Sequence, residues 1–332
     1  MAGIKEVAEK AGVSPSTVSN VLNGKSNVSS STKEHVLMVC QELDYHPNEV
    51  GRQLRSTDAR TILFNFSDFD RSFYLHIIQG IRDCTASNHY DFVISTTHSC
   101  KKYMHRNMTS GCIILDKAMK NETLVKYAKK DYPIIVLDRH IDHPYIKSMT
   151  IDNYASMSCL MEGLVQRGYH SMAFLSGPEY TEDTQERYQA FIDVQEKHGI
   201  HFRRNYYYPG DYREESGIRT ANIIMLSQVR PDILVCANDN MAIGAIKAFR
   251  NRGIQVPEDI AVTGFDNNDM ADLAGLTTID IPNYERGYLA AQNMINIINS
   301  DQSMEPVELK ARVLWRTSTR SLTDYETAVI SQ

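Results

Sequence analysis

The stretch that decides the fold of the N-terminal region is IKEVAEKAGVSPSTVSNVLN, residues 4–23. In its first half the apolar residues Val7, Ala8 and Ala11 recur at helical spacing, and Gly12 follows where a helix C-cap belongs. This pattern predicts one short helix with a single apolar face, closed by a tight turn.

A second short helix is predicted directly after that turn. Ser14 before Pro15 is an N-cap and first-turn pair, and Val18 and Val21 begin an apolar stripe that ends at Asn23. Two short helices separated by so tight a turn indicate a helix-turn-helix. In such a unit the first turns of the second helix face outward, and here they carry small or hydrogen-bonding side chains suited to base edges: Pro15, Ser16, Thr17 and Asn20.

A third helix is predicted after the serine-rich stretch 29–32, with Val36, Val39 and Leu43 directed inward. Periodicity alone leaves a second interpretation open, in which the three helices are part of a larger bundle.

The amino-acid sequences of three segments favour the interpretation as a helix-turn-helix. Residues 4–14 (IKEVAEKAGVS), 16–23 (STVSNVLN) and 43–48 (LDYHPN) closely resemble the DNA-binding head of the lactose-repressor (LacI/GalR) family of bacterial transcription factors. The resemblance implies that operator DNA is the partner and that, beside the capping Ser14, the major groove is read by Pro15, Ser16 and Asn20 and the phosphates are contacted by Thr17, Ser19 and Asn23.

Residues 48–55, NEVGRQLR, are too few for a helix that is stable alone. They resemble the family's hinge helix, which folds when two copies meet over the minor groove. The resemblance implies that Asn48, Arg52 and Arg55 lie at the DNA and that Leu54 wedges into a base step. The alternative for Leu54 is an apolar anchor on the core region. Gly51 replaces the family's usual alanine, which lowers helix stability by about 0.5–1 kcal/mol.

The composition of the chain limits the classes of protein to which it can belong. The chain has 332 residues, 42% hydrophobic and 23% charged, which predicts two or three soluble folding units. No apolar run approaches the ~18 residues of a membrane span and no signal peptide is recognisable, so we expect a cytoplasmic protein without membrane contact. The net charge of −6 excludes a protein that binds nucleic acid over its whole surface, although the first sixty residues balance seven basic with seven acidic side chains.

Catalytic and metal-binding signatures are not recognisable. The six cysteines form no CxxC pair and are expected to be scattered thiols, and the spacing of His98, Cys100 and His105 matches no zinc pattern. There is no glycine-rich phosphate loop and no GxSxG elbow. We therefore expect no enzyme, no cofactor and no metal.

From residue 61 onward, short β-rich runs alternate with helical patterns. The predicted strands are 61–66, 91–95, 112–115, 134–137, 172–175, 233–236 and 260–263, and the predicted helices are 75–86, 157–166, 185–198 and 242–250. The alternation predicts an α/β, doubly wound fold, and its restart near residue 172 predicts two lobes. Ligands of such sheets bind at the carboxyl ends of the strands, here in a cleft between the lobes.

Polar and aromatic side chains at those ends predict an effector site for a sugar or polyol. The candidates are Phe73, Tyr74, Asp138, Arg187, Tyr212, Asn238, Asp239 and Asp266. Because these include two clear ligand carboxylates, Asp138 and Asp266, against one arginine, we expect a neutral ligand. Two further arginines, Arg71 and Arg139, weaken the expectation of a neutral ligand, since either side chain could bind a phosphate.

The family resemblance extends to about residue 320, where it implies a periplasmic-binding-protein-like effector domain whose ligand is contacted by Phe73, Asp138, Arg187, Tyr212, Asn238 and Asp266. The expected boundaries are 1–46 for the helix-turn-helix domain, 47–60 for the hinge helix and linker, 61–320 for the two-lobed effector-binding and dimerisation domain, and 321–332 for a polar tail. The first lobe would comprise about 61–154 and 284–302, and the second about 155–281 and 305–320. Residues 98–103 read as irregular, which predicts a loosely built wall of the first lobe.

These observations predict a homodimeric repressor of carbohydrate uptake or catabolism genes that a small sugar releases from a pseudo-palindromic operator. One alternative is control by a phosphoprotein or a phosphorylated co-repressor. A solute-binding protein would use the same two lobes but has no use for a helix-turn-helix.

Overall fold

A computed structural model describes residues 3–22, 28–45, 60–67, 73–105, 108–300 and 309–322. The chain divides into two compact units, Met1–Ala59 and Arg60–Gln332. They are called the head and the core unit below.

The head contains α1 (Ile4–Lys10), α2 (Pro15–Leu22) and α3 (Ser30–Glu42). Val7, Val18 and Val36, one from each helix, are fully buried against one another. Gly12 turns the chain between α1 and α2 with φ +64°, a conformation that glycine adopts without the strain of a side chain. The predicted helix-turn-helix is confirmed.

The first lobe of the core unit is built on five parallel strands in the order β2-β1-β3-β4-β5. The strands are β1 (Thr61–Phe66), β2 (Asp91–Thr96), β3 (Gly111–Leu115), β4 (Ile134–Val136) and β5 (Ile146–Ser148), connected by α4 (Tyr74–Ser87), α5 (Thr97–His105) and α6 (Asn121–Tyr127). Strands β1 and β3 are buried along their whole length, as central strands covered on both faces must be.

The second lobe repeats the pattern with parallel strands in the order β7-β6-β8-β9 and an antiparallel pair, β10-β11. Its elements in chain order are α7 (Asn153–Gln166), β6 (Met172–Leu175), α8 (Glu182–Lys197), β7 (Tyr207–Tyr208), α9 (Glu214–Leu226), β8 (Ile233–Cys236), α10 (Asp239–Asn251), β9 (Ala261–Thr263), α11 (Asp269–Leu273) and β10 (Thr278–Asp280), with α12 (Asn283–Ile298) before β11 (Arg312–Leu314). The doubly wound α/β prediction is confirmed.

Helix α12 leaves the second lobe and packs on α4 of the first. The two helices are in backbone contact at two glycines: a Cβ on Gly80 would lie 2.1 Å from the Tyr284 carbonyl oxygen, and one on Gly287 would lie 2.1 Å from that of Ile77. Only glycine permits this approach, so α12 is held firmly against the first lobe.

The prediction that residues 98–103 are irregular is wrong, because they belong to α5. Cys100 and Met104 lie one helical turn apart and are buried in the first-lobe core, whereas His98 and the neighbouring lysines face outward. This i, i+4 spacing is an amphipathic signal that the high polarity of the segment obscured. All six cysteines are free thiols in the structure, and five of them are buried.

Candidate functional site

The exposed surface of α2 is the candidate site of the head. The Ser14 hydroxyl accepts a hydrogen bond from the Thr17 backbone N–H at 3.1 Å and lies 2.7 Å from the Ser16 hydroxyl, so it caps the helix as predicted. Pro15 and Ser16 are exposed, while Ser19 and Asn20 are half-buried. The first turn holds no acidic side chain. This neutral, hydroxyl-rich helix start is suited to phosphate and base-edge contacts.

Five of the predicted DNA-binding residues lie outside the described part of the chain. They are Asn23, Asn48, Arg52, Leu54 and Arg55.

The candidate site of the core unit is a cavity of about 370 Å³ between the two lobes. This volume lies within the usual range for small-molecule sites. Of the eight predicted effector residues, the structure brings five to its lining: Phe73, Tyr74, Asp138, Arg187 and Asp266.

Arg187 of α8 is fixed by its own lobe. Its guanidinium donates to Asn153 Oδ1 from Nε and Nη2, at 3.0 and 2.8 Å, and to the Ala237 carbonyl oxygen from Nη1 at 2.5 Å. The group also stacks on the Phe265 ring, 3.5 Å from its centroid. Arg187 is therefore presented to the cavity in one orientation.

An ion pair that the sequence analysis missed crosses the cleft. The ammonium group of Lys117, in the turn after β3, donates to the carboxylate of Asp183 in the first turn of α8. Burial raises the pKa of Asp183, but the charges of Arg187 and Lys117 outweigh it and hold that pKa below its ordinary value. A second contact between the lobes joins His76 Nε2 to Asp269 Oδ1 at 3.2 Å.

Arg139 holds the turn that carries Lys117. Its guanidinium donates to the carbonyl oxygens of Asp116 at 3.2 Å and Met119 at 2.6 Å, and to Asp138 Oδ2 at 3.3 Å. It does not line the cavity. These bonds leave Arg139 as a structural clamp on residues 116–119.

Three buried polar side chains lie in the first-lobe wall of the cavity: Asp138 after β4, and Asn283 and Arg286 in the first turn of α12. Burial raises the pKa of Asp138, against the opposing charges of Arg139, Lys117 and Arg286. Burial likewise lowers the pKa of Arg286 to about 10, although Asp138 and Asp266 oppose it.

Asp266 enters the cavity from an unusual backbone conformation. It has φ +113° and is followed by Asn267 at +50°. Asn267 is tied down by Asp280 and Arg316, at 2.9 and 3.0 Å. Such conformations are uncommon in non-glycine residues and cluster at functional sites.

The remaining three predicted effector residues do not line this cavity. The Tyr212 hydroxyl bonds the Thr184 hydroxyl at 2.6 Å, behind Asp183. Asn238 caps α10 and donates to the Tyr212 carbonyl oxygen at 3.0 Å. Asp239 is fully buried and accepts from the Asn268 backbone N–H at 2.7 Å and from the Thr278 hydroxyl at 2.6 Å. Burial raises its pKa well above the ordinary value.

A signal for one missed residue was available. Lys117 follows a central parallel strand, so the strand-end rule that found Asp138 also covers it. Asp183, Asn283 and Arg286 lie at helix starts, and only their tertiary positions bring them to the cleft.

Within the described part of the chain, no helix is both long and apolar enough to cross a bilayer. No group of three or more histidine, cysteine, aspartate or glutamate side chains in these same residues is arranged to hold a metal ion.

Comparison with known proteins gives matches over almost the whole chain. Residues 3–48 match the family described as bacterial regulatory proteins, lacI family, and residues 161–319 match the periplasmic binding protein-like domain. The transcriptional regulator RegA of Clostridium saccharobutylicum is 30% identical, over 91% of this chain and 94% of its own length. Catabolite control protein A of Priestia megaterium is 28% identical, over 96% and 99%.

Solved structures agree with these matches. The lac repressor dimer bound to operator and the anti-inducer ONPF has a TM-score of 0.78 at 26% identity, covering 96% of this chain and 99% of that one. A sugar-binding transcriptional regulator from Enterococcus faecalis has a TM-score of 0.73 at 28% identity, over 80% and 100%.

A helix-turn-helix head joined to a two-lobed core with a cleft for a small molecule defines a class of DNA-binding transcriptional regulators. Within that class, this chain belongs to the LacI family.

Proposed function

We propose that the protein is a cytoplasmic, homodimeric repressor whose operator affinity is lowered by a neutral sugar or sugar derivative bound in the cleft. The observation that carries the proposal is the balance of charge around the cavity. The sequence predicted two carboxylates and one arginine there. The lining also contains Lys117, Asp183 and Arg286, together with the exposed Glu182 and Glu186, so five carboxylates face three cations. An anionic ligand would add to this excess of negative charge, whereas a neutral ligand needs no further compensation.

A phosphorylated effector is the second candidate, and its support is weaker. Arg139 was expected to be able to swing onto a phosphate, but its guanidinium is bonded to two carbonyl oxygens and to Asp138. Arg71, the other arginine that was expected to be able to bind a phosphate, lies outside the described residues. The relative described as sugar-binding further favours a sugar for this chain.

For the head, we propose that two copies of α2 read the two halves of a pseudo-palindromic site of roughly 14–20 base pairs. The relative solved as a dimer on its operator supports this arrangement. The hinge segment and Leu54 are assigned to the minor groove on the resemblance of residues 48–55. Leu54→Ala is then expected to weaken specific binding by about 1–3 kcal/mol and to reduce DNA bending.

The test uses the full chain. Operator DNA is selected from a random library and its binding is followed by fluorescence anisotropy, in increasing salt and with a panel of neutral sugars, uronates and sugar phosphates. We expect a dimer on the DNA in ultracentrifugation, affinity that falls steeply with salt, and release by a neutral sugar. A monomer on DNA, or release by a sugar phosphate alone, contradicts the proposal.

A further inference from the structure

One wall of the cavity carries buried polar atoms that the protein itself does not satisfy. Among the described residues, Asp138 Oδ1, Asn283 Oδ1 and Arg286 Nε have no hydrogen-bond partner. All three side chains line the cavity and are more than nine-tenths buried. Buried polar atoms without partners are rare because they have lost water and gained nothing in return. Three of them on one wall point to a ligand.

The fold brings these three side chains together. Asn283 and Arg286 are three residues apart in α12, so they lie on the same face of the helix. Arg286 Nη2 donates to the carbonyl oxygen of Leu137, the residue before Asp138. The guanidinium therefore lies beside the backbone from which Asp138 enters the cavity.

The unsatisfied atoms are two acceptors and one donor. A carboxylate or phosphate has only acceptors at neutral pH, so it would satisfy Arg286 but leave the oxygens of Asp138 and Asn283 facing other oxygens. An ammonium group would satisfy both oxygens but would lie beside the guanidinium of Arg286. A pair of adjacent hydroxyls offers two donors and also an acceptor.

We infer that Asp138, Asn283 and Arg286 form a single subsite for a vicinal diol of the effector. One hydroxyl donates to Asp138 Oδ1, its neighbour donates to Asn283 Oδ1, and one of the two accepts from the Arg286 Nε–H. This inference rests on the proposed sugar-type effector and specifies which part of it the protein recognises.

Two charged groups of the opposite wall are already engaged by the protein itself. Arg187 is engaged by Asn153, the Ala237 carbonyl oxygen and the Phe265 ring, and Asp183 by Lys117. Arg286 and Asn283 are thus specificity-determining residues, selecting a ligand by the presence of two neighbouring hydroxyls.

The experiment is calorimetric titration of the full chain with named probes. These are glucose, galactose, mannose, their monodeoxy analogues and myo-inositol, with glucuronate, glucose 6-phosphate and glucosamine as charged probes. The variants are Arg286→Met and Asn283→Ala, and the matched control is Lys126→Met on the exposed face of α6. Thermal unfolding without ligand checks that each variant folds. If Arg286→Met does not fold, Asn283→Ala carries the test.

We expect one neutral sugar to bind the parent and to lose roughly 10–100-fold in affinity in either variant, with no change in the control. One monodeoxy analogue should lose a similar factor on the parent and little more on the variants, because the partner is already missing. Unchanged affinity in both variants, or losses that simply add, overturns the subsite while leaving the sugar effector in place. Preferred binding of a charged probe overturns the diol assignment, and binding of no probe overturns the proposed sugar effector together with its subsite.

Discussion

The two walls of the cleft use their polar side chains differently. On the second-lobe wall and behind it, Arg187, Asn238 and Asp239 are bonded to groups of their own lobe. On the first-lobe wall, Asp138 and Arg286 keep buried atoms without partners among the described residues. Groups that the fold already satisfies contribute to stability, and groups that it leaves open are available to a ligand. The difference divides the site into a supporting wall and a recognising wall.

The largest expected effect tests the supporting wall. Asp239→Ala removes the acceptor of the Asn268 N–H and the Thr278 hydroxyl, so the free energy of unfolding should fall by about 2–4 kcal/mol. Urea unfolding can be followed by the fluorescence of Trp315, the chain's single tryptophan, which lies in the second lobe against Arg167. Glu258→Ala, at an exposed residue, is the control and should change stability by less than about 0.5 kcal/mol. Equal effects of the two variants would remove the basis for calling this wall supporting.

The next effect concerns the ion pair that joins the two walls. Lys117→Met leaves the half-buried carboxylate of Asp183 without its partner from the other lobe, so we expect a loss of about 1–3 kcal/mol, between the values for exposed and buried pairs. Lys126→Met again serves as the control. A variant as stable as the parent would show that the pair does not hold the lobes together.

A smaller effect should appear in the pH dependence of stability. The folded-state pKa of Asp183 is lower than its unfolded value, so its contribution is present above about pH 4 and is lost as the pH falls through the folded pKa. Between pH 5 and 3 the parent should lose about 1 kcal/mol more than Asp183→Asn. Parallel profiles for the two proteins would contradict the assigned charge of Asp183.

The smallest effect extends the comparison to the head, where one residue, Ser14, is expected both to stabilise the fold and to contribute to DNA binding. Ser14 and Ser29 each cap a helix, so alanine at either position should lower the stability of the head by about 0.5–1 kcal/mol. Only Ser14 lies beside the exposed start of α2, so only Ser14→Ala should weaken operator binding beyond this loss. Anisotropy at a temperature where both variants are fully folded separates the two roles, and equal operator affinities would mean that Ser14 is a cap and nothing more.

Much of this arrangement was predictable from the sequence, and the reason is local. The strands at 61–66, 172–175 and 233–236 have the predicted bounds, because each is a short apolar run between polar turns. Phe73 and Asp138 reach the cavity because they lie at the carboxyl ends of strands or just beyond them. The three helices of the head were equally predictable, because the apolar residues of its core recur at helical spacing.

What the sequence did not reveal is which polar group finds a partner. Asp239 and Asp266 follow neighbouring strands and look alike in sequence, yet Asp239 is enclosed by Asn268 and Thr278 whereas Asp266 lines the cavity. Arg286 has no strand-end signal at all, because it reaches the first lobe only through the return of α12. Whether a polar side chain finds a hydrogen-bond partner depends on contacts between segments far apart in the chain.

The return of α12 also sets the order in which the protein is completed during synthesis. The last strand of the first lobe ends at Ser148, but the helix that covers α4 ends at Ile298, about 150 residues later. At ordinary translation rates this is a delay of roughly 10–30 s, during which the face of α4 around Ile77 has no α12 to cover it. The nascent chain must therefore carry an unfinished first lobe while its second lobe is still being made, and that interval is when a chaperone would find an apolar surface to bind.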